Sequence, residues 1–279
     1  MKTERRHVAV VNEEIAAHGN YRTAGGVAVE IGAAVAAARA GTVSYTPPQL
    51  DRIVRAPAPG AGNPRIAVTG EGSVAAARRL TVDGACGRIG VLNFASARNP
   101  GGGYLGGARA QEEDLCRSAL LYTCLLAAPD YYAAHRTSSD PAYSHRVIVS
   151  PGVPVIRDER GALADPFPVT FLTSPAPNAG ELARRSAAVD VRAILAERAE
   201  RVLAAAARHD VRAIVLGAWG CGVFGNDPAE VAAAFDAALS RWGAAFEHVV
   251  FPVWDRAPVS ANRTAFEQRF GGARSTGGG

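Results

Sequence analysis

At 279 residues, 48% apolar and 20% charged, the chain has an ordinary globular composition and suffices for one large α/β domain or two small ones. No apolar run reaches the roughly 18 residues of a membrane span, and the charged start Met1–Arg6 has no apolar stretch of a secretory signal behind it. The formal charge of +4 rests on arginine, since Lys2 is the only lysine; without a dense basic run or interleaved aromatics, duplex DNA binding as the main role is weakly supported.

Residues 3–18 read as a helix with Val8, Val11 and Ile15 on one stripe, stopped by Gly19. A second helix is expected from Val27 to Ala40, then a break at Thr46-Pro47-Pro48 and a Pro/Gly-rich loop from Ala56 to Pro64. Residues 1–60 thus read as a helical extension packed on the main domain. Alternation of strands and helices follows: a strand Arg65–Thr69, a helix with Ser73 as N-cap running to about Leu80, and a buried strand Ile89–Phe94. After a glycine-rich loop comes a helix with Leu115, Ala119, Tyr122 and Leu126 on one face, ended by Pro129. Arg146–Asp158 reads as extended and antiparallel at a sheet edge, Phe167–Leu172 as a strand, and Ser174–Asn178 as a stiff loop at its end. One long helix is expected over 181–208, with Glu197 and Arg201 as an exposed i,i+4 pair. The apolar strand Val211–Leu216 leads into a second glycine-rich loop and a helix started by Asp227 (N-cap), Pro228 and Glu230. Glu247–Val253 is the last strand, and Gly271–Gly279 reads as a disordered tail. The pattern implies an α/β fold with a mostly parallel sheet and helices on both faces. Loops that follow parallel strands lie at one end of a sheet, so the two glycine-rich loops are expected to share a pocket.

The first loop carries Asn99, Gly101, Gly102 and Gly103, and runs into Gln111-Glu112-Glu113 at a helix mouth. Glycines there allow positive φ and a close approach of backbone to a ligand. Two readings fit the paired acids. They complement the helix dipole, or they raise one another's proton affinity, so that one serves as a general acid and the other holds sugar hydroxyls. The second loop, Gly217 to Asn226, puts Gly220, Cys221, Gly222, Val223, Phe224 and Gly225 ahead of a capped helix. Backbone N–H groups and a positive helix end suit a diphosphate, with Phe224 against a sugar; a tight strand–helix turn with a buried Phe is the plainer reading. Cys221 between glycines reads as a small filler more readily than as a nucleophile. Cys86, Cys116, Cys124 and Cys221 show no CxxC spacing and read as reduced thiols of a cytoplasmic protein, and the six histidines form no metal-ligand spacing.

Gly101-Gly102-Gly103, seven residues, then Gln111-Glu112-Glu113 resembles the GGG…QEE signature of poly(ADP-ribose) glycohydrolases. Val91–Ala95, Ser174–Asn178 and the Gly-Cys-Gly-Val-Phe loop resemble the shorter bacterial-type branch, and the likeness spans roughly 5–256. The resemblance implies a macrodomain-like catalytic domain at 61–270: a three-layer α/β/α sandwich that hydrolyses the ribose–ribose O-glycosidic bond of poly(ADP-ribose) and releases ADP-ribose. It implies Glu113 as general acid, Glu112 and Asn99 on ribose hydroxyls, and the diphosphate against Gly220 to Phe224. It implies no metal and no cofactor, with poly(ADP-ribose), ADP-ribose and ADP-ribosylated proteins as partners. A hydrolase of single ADP-ribose units and a non-catalytic ADP-ribose reader are the alternatives. The adenine platform is looked for around Phe251 and Trp254.

Overall fold

The computed structural model describes residues 2–58, 62–85, 87–255 and 259–271. Helix α1 (Lys2–His18) buries Ala9, Asn12 and Ile15. The helix expected from Val27 begins later, because Asn20–Arg22 (β1) and Ala28–Glu30 (β2) pair as an antiparallel hairpin. The hairpin closes at Gly19, where an added Cβ would lie 2.9 Å from the Gly32 Cα. Helix α2 (Gly32–Ala40) starts there, followed by β3 (Val43–Tyr45). Thr46-Pro47-Pro48 begins a helix rather than a break. Thr46 and Gln49 form a capping box, and Pro47 takes the first position of α3 (Pro47–Arg55), where no N–H is needed.

Strand β4 (Arg65–Thr69) leads to α4 (Ser73–Val82), with Gly72 rather than Ser73 at the N-cap, and then to β5 (Arg88–Phe94). The helix expected to continue through Leu126 is instead α5 (Gln111–Ser118), α6 (Leu121–Leu125) and α7 (Pro129–Arg136), with Pro129 opening the last and Leu126 half-exposed. It breaks where Ala119 turns extended and Leu120 donates its N–H to the Pro154 carbonyl, 3.0 Å away, on the long strand β6 (Val147–Arg157). Strand β7 (Leu163–Ser174) follows. The helix expected over 181–208 is split into α8 (Ala179–Arg184) and α9 (Val191–Arg208). Ser186 adopts φ 50° between them, and the Asp190 carboxylate caps α9 on the Ala193 N–H. After β8 (Val211–Val215), α10 (Pro228–Trp242) starts as read, with the Asp227 carboxylate accepting from the Ala229 N–H. Strand β9 (His248–Pro252) precedes α11 (Ala261–Phe270), a helix the sequence reading missed. Gly271 caps α11, and the expected tail beyond it lies outside the described residues.

Seven strands form one sheet in the order β3-β6-β7-β5-β8-β9-β4. The run from β7 to β4 is parallel; β6 is antiparallel to β7, and β3 to β6. The antiparallel strand therefore lies one place inside the edge. The edge strand β3 comes from the first 60 residues, which hold strands as well as helices. Alternation along the strands separates two cores. Leu92, Leu172, Ile214, Val249 and Phe251 face α3, α9, α10 and α11; Val91, Phe171, Ala213, Val215 and Val250 face α4 to α7. Because β7, β5 and β8 are neighbours, the segments leaving their C-terminal ends meet above the middle of the sheet. Among the described residues no helix is long and apolar enough to cross a membrane.

One support for that end of the sheet is buried and pH-sensitive. His135 on α7 donates from Nδ1 to the Tyr131 carbonyl (2.9 Å) and accepts at Nε2 from the Ser144 hydroxyl (2.8 Å), fixing the turn before β6. Burial pushes its pKa down to about 4. A group depressed on folding contributes its full stability above its unfolded pKa of about 6.5 and loses it as pH falls toward 4. His135→Gln is expected to flatten the fall in unfolding free energy between pH 6.5 and 4 by on the order of 2–3 kcal/mol, measured by urea titration against wild type.

Candidate active site

The loop from β5 to α5 turns at Asn99–Gly102, where the Gly102 N–H donates to the Asn99 carbonyl at 3.0 Å. Gly101 and Gly102 have φ of +64° and +58°, a region closed to most side chains. What the missing side chains make room for is the pair of carboxylates. A Cβ on Gly102 would stand 2.5 Å from Glu113 Oε1 and 3.1 Å from Glu112 Oε2. The Gly103 N–H donates to Glu113 Oε1 at 2.8 Å. Glu112 accepts from the Ser96 N–H (2.7 Å) and from Asn93 Nδ2 (3.1 Å). The triple glycine thus wraps the acids of the following helix; Gly101, Gly102 and Gly103 do not line the cavity, contrary to the expected ligand approach.

Glu112 and Glu113 are 3% and 7% exposed, whereas the next acid, Asp114, points to solvent. Dipole complementation alone would not bury two carboxylates. Burial pushes the Glu112 pKa up to about 8, opposed by the N–H donors from Ser96 and Asn93, with the charge of Glu113 a smaller raising cause. Desolvation therefore dominates, rather than the mutual repulsion expected from adjacency. Glu113 keeps Oε2 buried and, among the described residues, without a hydrogen-bond partner. Gln111 spends both ends of its amide on β5: Nε2 donates to the Leu92 carbonyl and Oε1 accepts from the Phe94 N–H, each at 2.8 Å. It borders the cavity, but its polar atoms clip the start of α5 to the strand that launches the loop.

The second loop borders the same cavity, of about 1200 Å³, whose lining includes Gly220, Gly222, Val223 and Phe224 together with Glu112 and Glu113. Among the described residues the N–H groups of Gly222, Val223 and Phe224 meet no acceptor, which leaves three backbone donors beside the N-terminus of α10 for an anion. Gly217, Cys221 and Gly225 do not line the cavity. Gly217, at φ +131°, lies close to Pro252 and Phe94; Gly225, at φ +66°, closes the turn through its N–H to the Gly222 carbonyl. Burial pushes the Cys221 thiol up to about 12, which fits a filler and not a nucleophile. Gly220 packs its bare Cα against Ala176 and Asn226. Asn226 Nδ2 donates to the Pro177 carbonyl (2.9 Å) and Trp219 Nε1 to the Ser174 carbonyl (3.1 Å), joining the loop to the end of β7. Phe224 leans on Tyr143, ring centroids 5.9 Å apart. The buried Arg198 holds that turn with bonds to the Ala142, Tyr143 and Pro175 carbonyls.

Asn99 is exposed on its turn and outside the cavity lining. Phe251 is fully buried among Phe235, Phe266 and Phe270, so it cannot be an adenine platform; the unforeseen α11 covers it. Trp254 does border the cavity, with the Arg109 guanidinium 5.8 Å from its ring centre. Asn93 was missed, although one polar residue in the apolar run Ile89–Phe94 is a readable signal.

The model of the microbial-type PARG catalytic domain matches residues 9–158. Among solved structures, the poly(ADP-ribose) glycohydrolase of Thermomonospora curvata shares 45% identity over 96% of this chain and 100% of its own, with a TM-score of 0.91. Its structure bound to the inhibitor ADP-HPD gives 47% identity, the same coverage and a TM-score of 0.88. The Deinococcus radiodurans glycohydrolase in complex with ADP-ribose gives 44% identity over 85% of this chain and 96% of its own, with a TM-score of 0.79. No curated protein matched the sequence.

Two substitutions test this geometry. Gly102→Ala is expected to lower turnover about 100-fold by displacing Glu113, with a loss of stability on the order of 1–2 kcal/mol from a side chain held at positive φ. Glu112→Gln probes the buried proton. A carboxyl raised on folding stabilises fully below its unfolded pKa, about 4.5, and loses that contribution as pH rises through about 8. The stability of the Gln variant relative to wild type should therefore improve by a few kcal/mol between pH 4.5 and 8.5; a pH-independent difference in urea midpoints would contradict it.

Proposed function

The chain belongs to the microbial-type poly(ADP-ribose) glycohydrolases, and from that premise we propose how its residues cleave the ribose–ribose O-glycosidic bond of poly(ADP-ribose) and release ADP-ribose. The observation that carries the assignment is the meeting of two loops at one cavity, one bringing buried carboxylates and the other open backbone donors. The diphosphate of a terminal ADP-ribose lies against Gly222 to Phe224, where donors and helix end offset its charge. Phe224, braced by Tyr143, presses on the distal ribose and carries its anomeric carbon to Glu113.

Glu113, in its acid form, gives its proton to the departing 2′-oxygen as the C1″–O bond breaks and the distal sugar becomes oxocarbenium-like. The resulting carboxylate takes a proton from the water that attacks C1″, which restores the acid and completes the hydrolysis. Glu112 and Asn99 bind ribose hydroxyls; Asn99 comes to the sugar from its exposed turn. Gln111 keeps the acids in place through β5. We assign catalysis to residues 61–270, with residues 1–60 as a scaffold packed on them. We place the protein in the cytoplasm, on the free thiols of Cys116, Cys124 and Cys221.

Glu113→Gln is expected to slow ADP-ribose release from the polymer by roughly 10²–10⁴-fold while leaving ADP-ribose binding within about threefold, measured by chromatography of the products and by calorimetry. Release at the wild-type rate would remove Glu113 from the chemistry. Loss of mono-ADP-ribose from protein with the polymer left intact would turn the assignment to the single-unit hydrolase.

A further inference from the structure

Helix α1 lies outside the cavity except at Val8, yet it grips the machinery at both ends of the loop–helix unit. Arg5 Nε donates to the Gly107 carbonyl at 2.8 Å and Arg6 Nε to the Gly106 carbonyl at 3.1 Å. Tyr104, buried in the same loop, donates its hydroxyl to Glu13 at 3.3 Å. Gly107, at φ +72°, admits the helix: a Cβ there would lie 2.7 Å from the Lys2 carbonyl oxygen. At the far end, the fully buried Asn12 donates from Nδ2 to the Arg117 carbonyl (2.8 Å) and the Cys116 carbonyl (3.2 Å). Its Oδ1 accepts from Arg157 Nη2 (2.8 Å) and Nε (3.0 Å).

These contacts use the hydrogen-bonding capacity of Asn12 fully. The last carbonyls of a helix have no intrahelical donors, so the Asn12 amide caps α5 from a different element. Helix α5 has eight residues, about 12 Å of rise. A body that short cannot shift at its C-terminal end without moving Glu112 and Glu113 in its first turn. We propose that α1 is a clamp on the catalytic loop and that Asn12 and Arg5 are positioning residues for the two glutamates, fixing one face of α5 at its end and the glycine loop at its exit. The proposal rests on Glu113 being the acid of the reaction assigned above.

The test uses the full chain. Asn12→Leu keeps the volume and removes the amide; Arg5→Ala removes one half-buried contact and serves as the second variant should Asn12→Leu fail to fold. Rates are measured well below each melting temperature. The expected result is a fall in kcat on poly(ADP-ribose) of at least about 10-fold for Asn12→Leu and about threefold for Arg5→Ala. KM and ADP-ribose affinity should stay within about twofold, because the anion donors at 222–224 do not touch α1. Hydrogen–deuterium exchange of the 101–110 segment should quicken in both variants. A merely structural role would lower the melting temperature and leave kcat alone; that outcome, or unchanged exchange at 101–110, overturns the clamp. Exchange needs no substrate, so a wild-type protein that releases no ADP-ribose would refute the functional reading and leave the clamp to be decided by exchange alone.

Discussion

Two adjacent carboxylates held inside a protein, with backbone N–H groups as their principal donors, constrain everything around them. A buried carboxyl without hydrogen bonds is costly. Here Ser96 supplies an N–H donor to Glu112, and Gly103 supplies one to Glu113. Those donors reach the acids only if the loop folds back over its own helix, and the absence of a Cβ at Gly102 permits that approach. Asn93, Gln111 and the end of β5 are then committed to the same purpose. The C-terminal end of β5 is a support for the helix as much as a launch point for the loop.

The second loop brings no polar side chain to the cavity: Gly220, Gly222, Val223 and Phe224 are what it contributes to the lining. The 217–225 loop presents its backbone, and the surrounding residues hold that backbone still. Asn226 and Trp219 tie it to the end of β7, while Arg198 fixes the turn whose Tyr143 braces Phe224. Arg198 sits wholly buried with carbonyl partners, and desolvation brings its pKa down to about 10. A cation used this way is a rigid five-donor connector, and it converts the packing of α9 into the position of a cavity-lining aromatic ring.

Strands β4 to β9 and the two loops were legible because they carry local signals: apolar runs, glycine clusters and caps such as Asp227; the short strands β1 to β3 carry none and were read as helix or loop. The paired acids were legible as a motif. Their surroundings were not, because the donors that satisfy the buried Glu112, Asn93 and Ser96, lie sixteen to nineteen residues away in sequence. The glycines were read as room for a ligand; only the fold shows that the room is for Glu113. Helix continuity misled at Ala119, where β6 draws the backbone away, and at 185–190, where a left-handed Ser186 allows a turn that composition does not announce. Phe251 looked available because α11 carries no clear apolar stripe, yet Phe266 and Phe270 cover it. Asn12 lies between Val8 and Ile15 on the predicted stripe, and a polar residue in that place was its one visible sign.

A crystal structure of the chain with ADP-ribose bound tests the account most directly. It predicts the diphosphate on the N–H groups of Gly222, Val223 and Phe224, the distal ribose between Phe224 and the acids, and a Glu113 carboxylate oxygen within hydrogen-bond reach of the ribose. A ligand with its diphosphate elsewhere, or with its distal ribose turned away from Glu113, would contradict it.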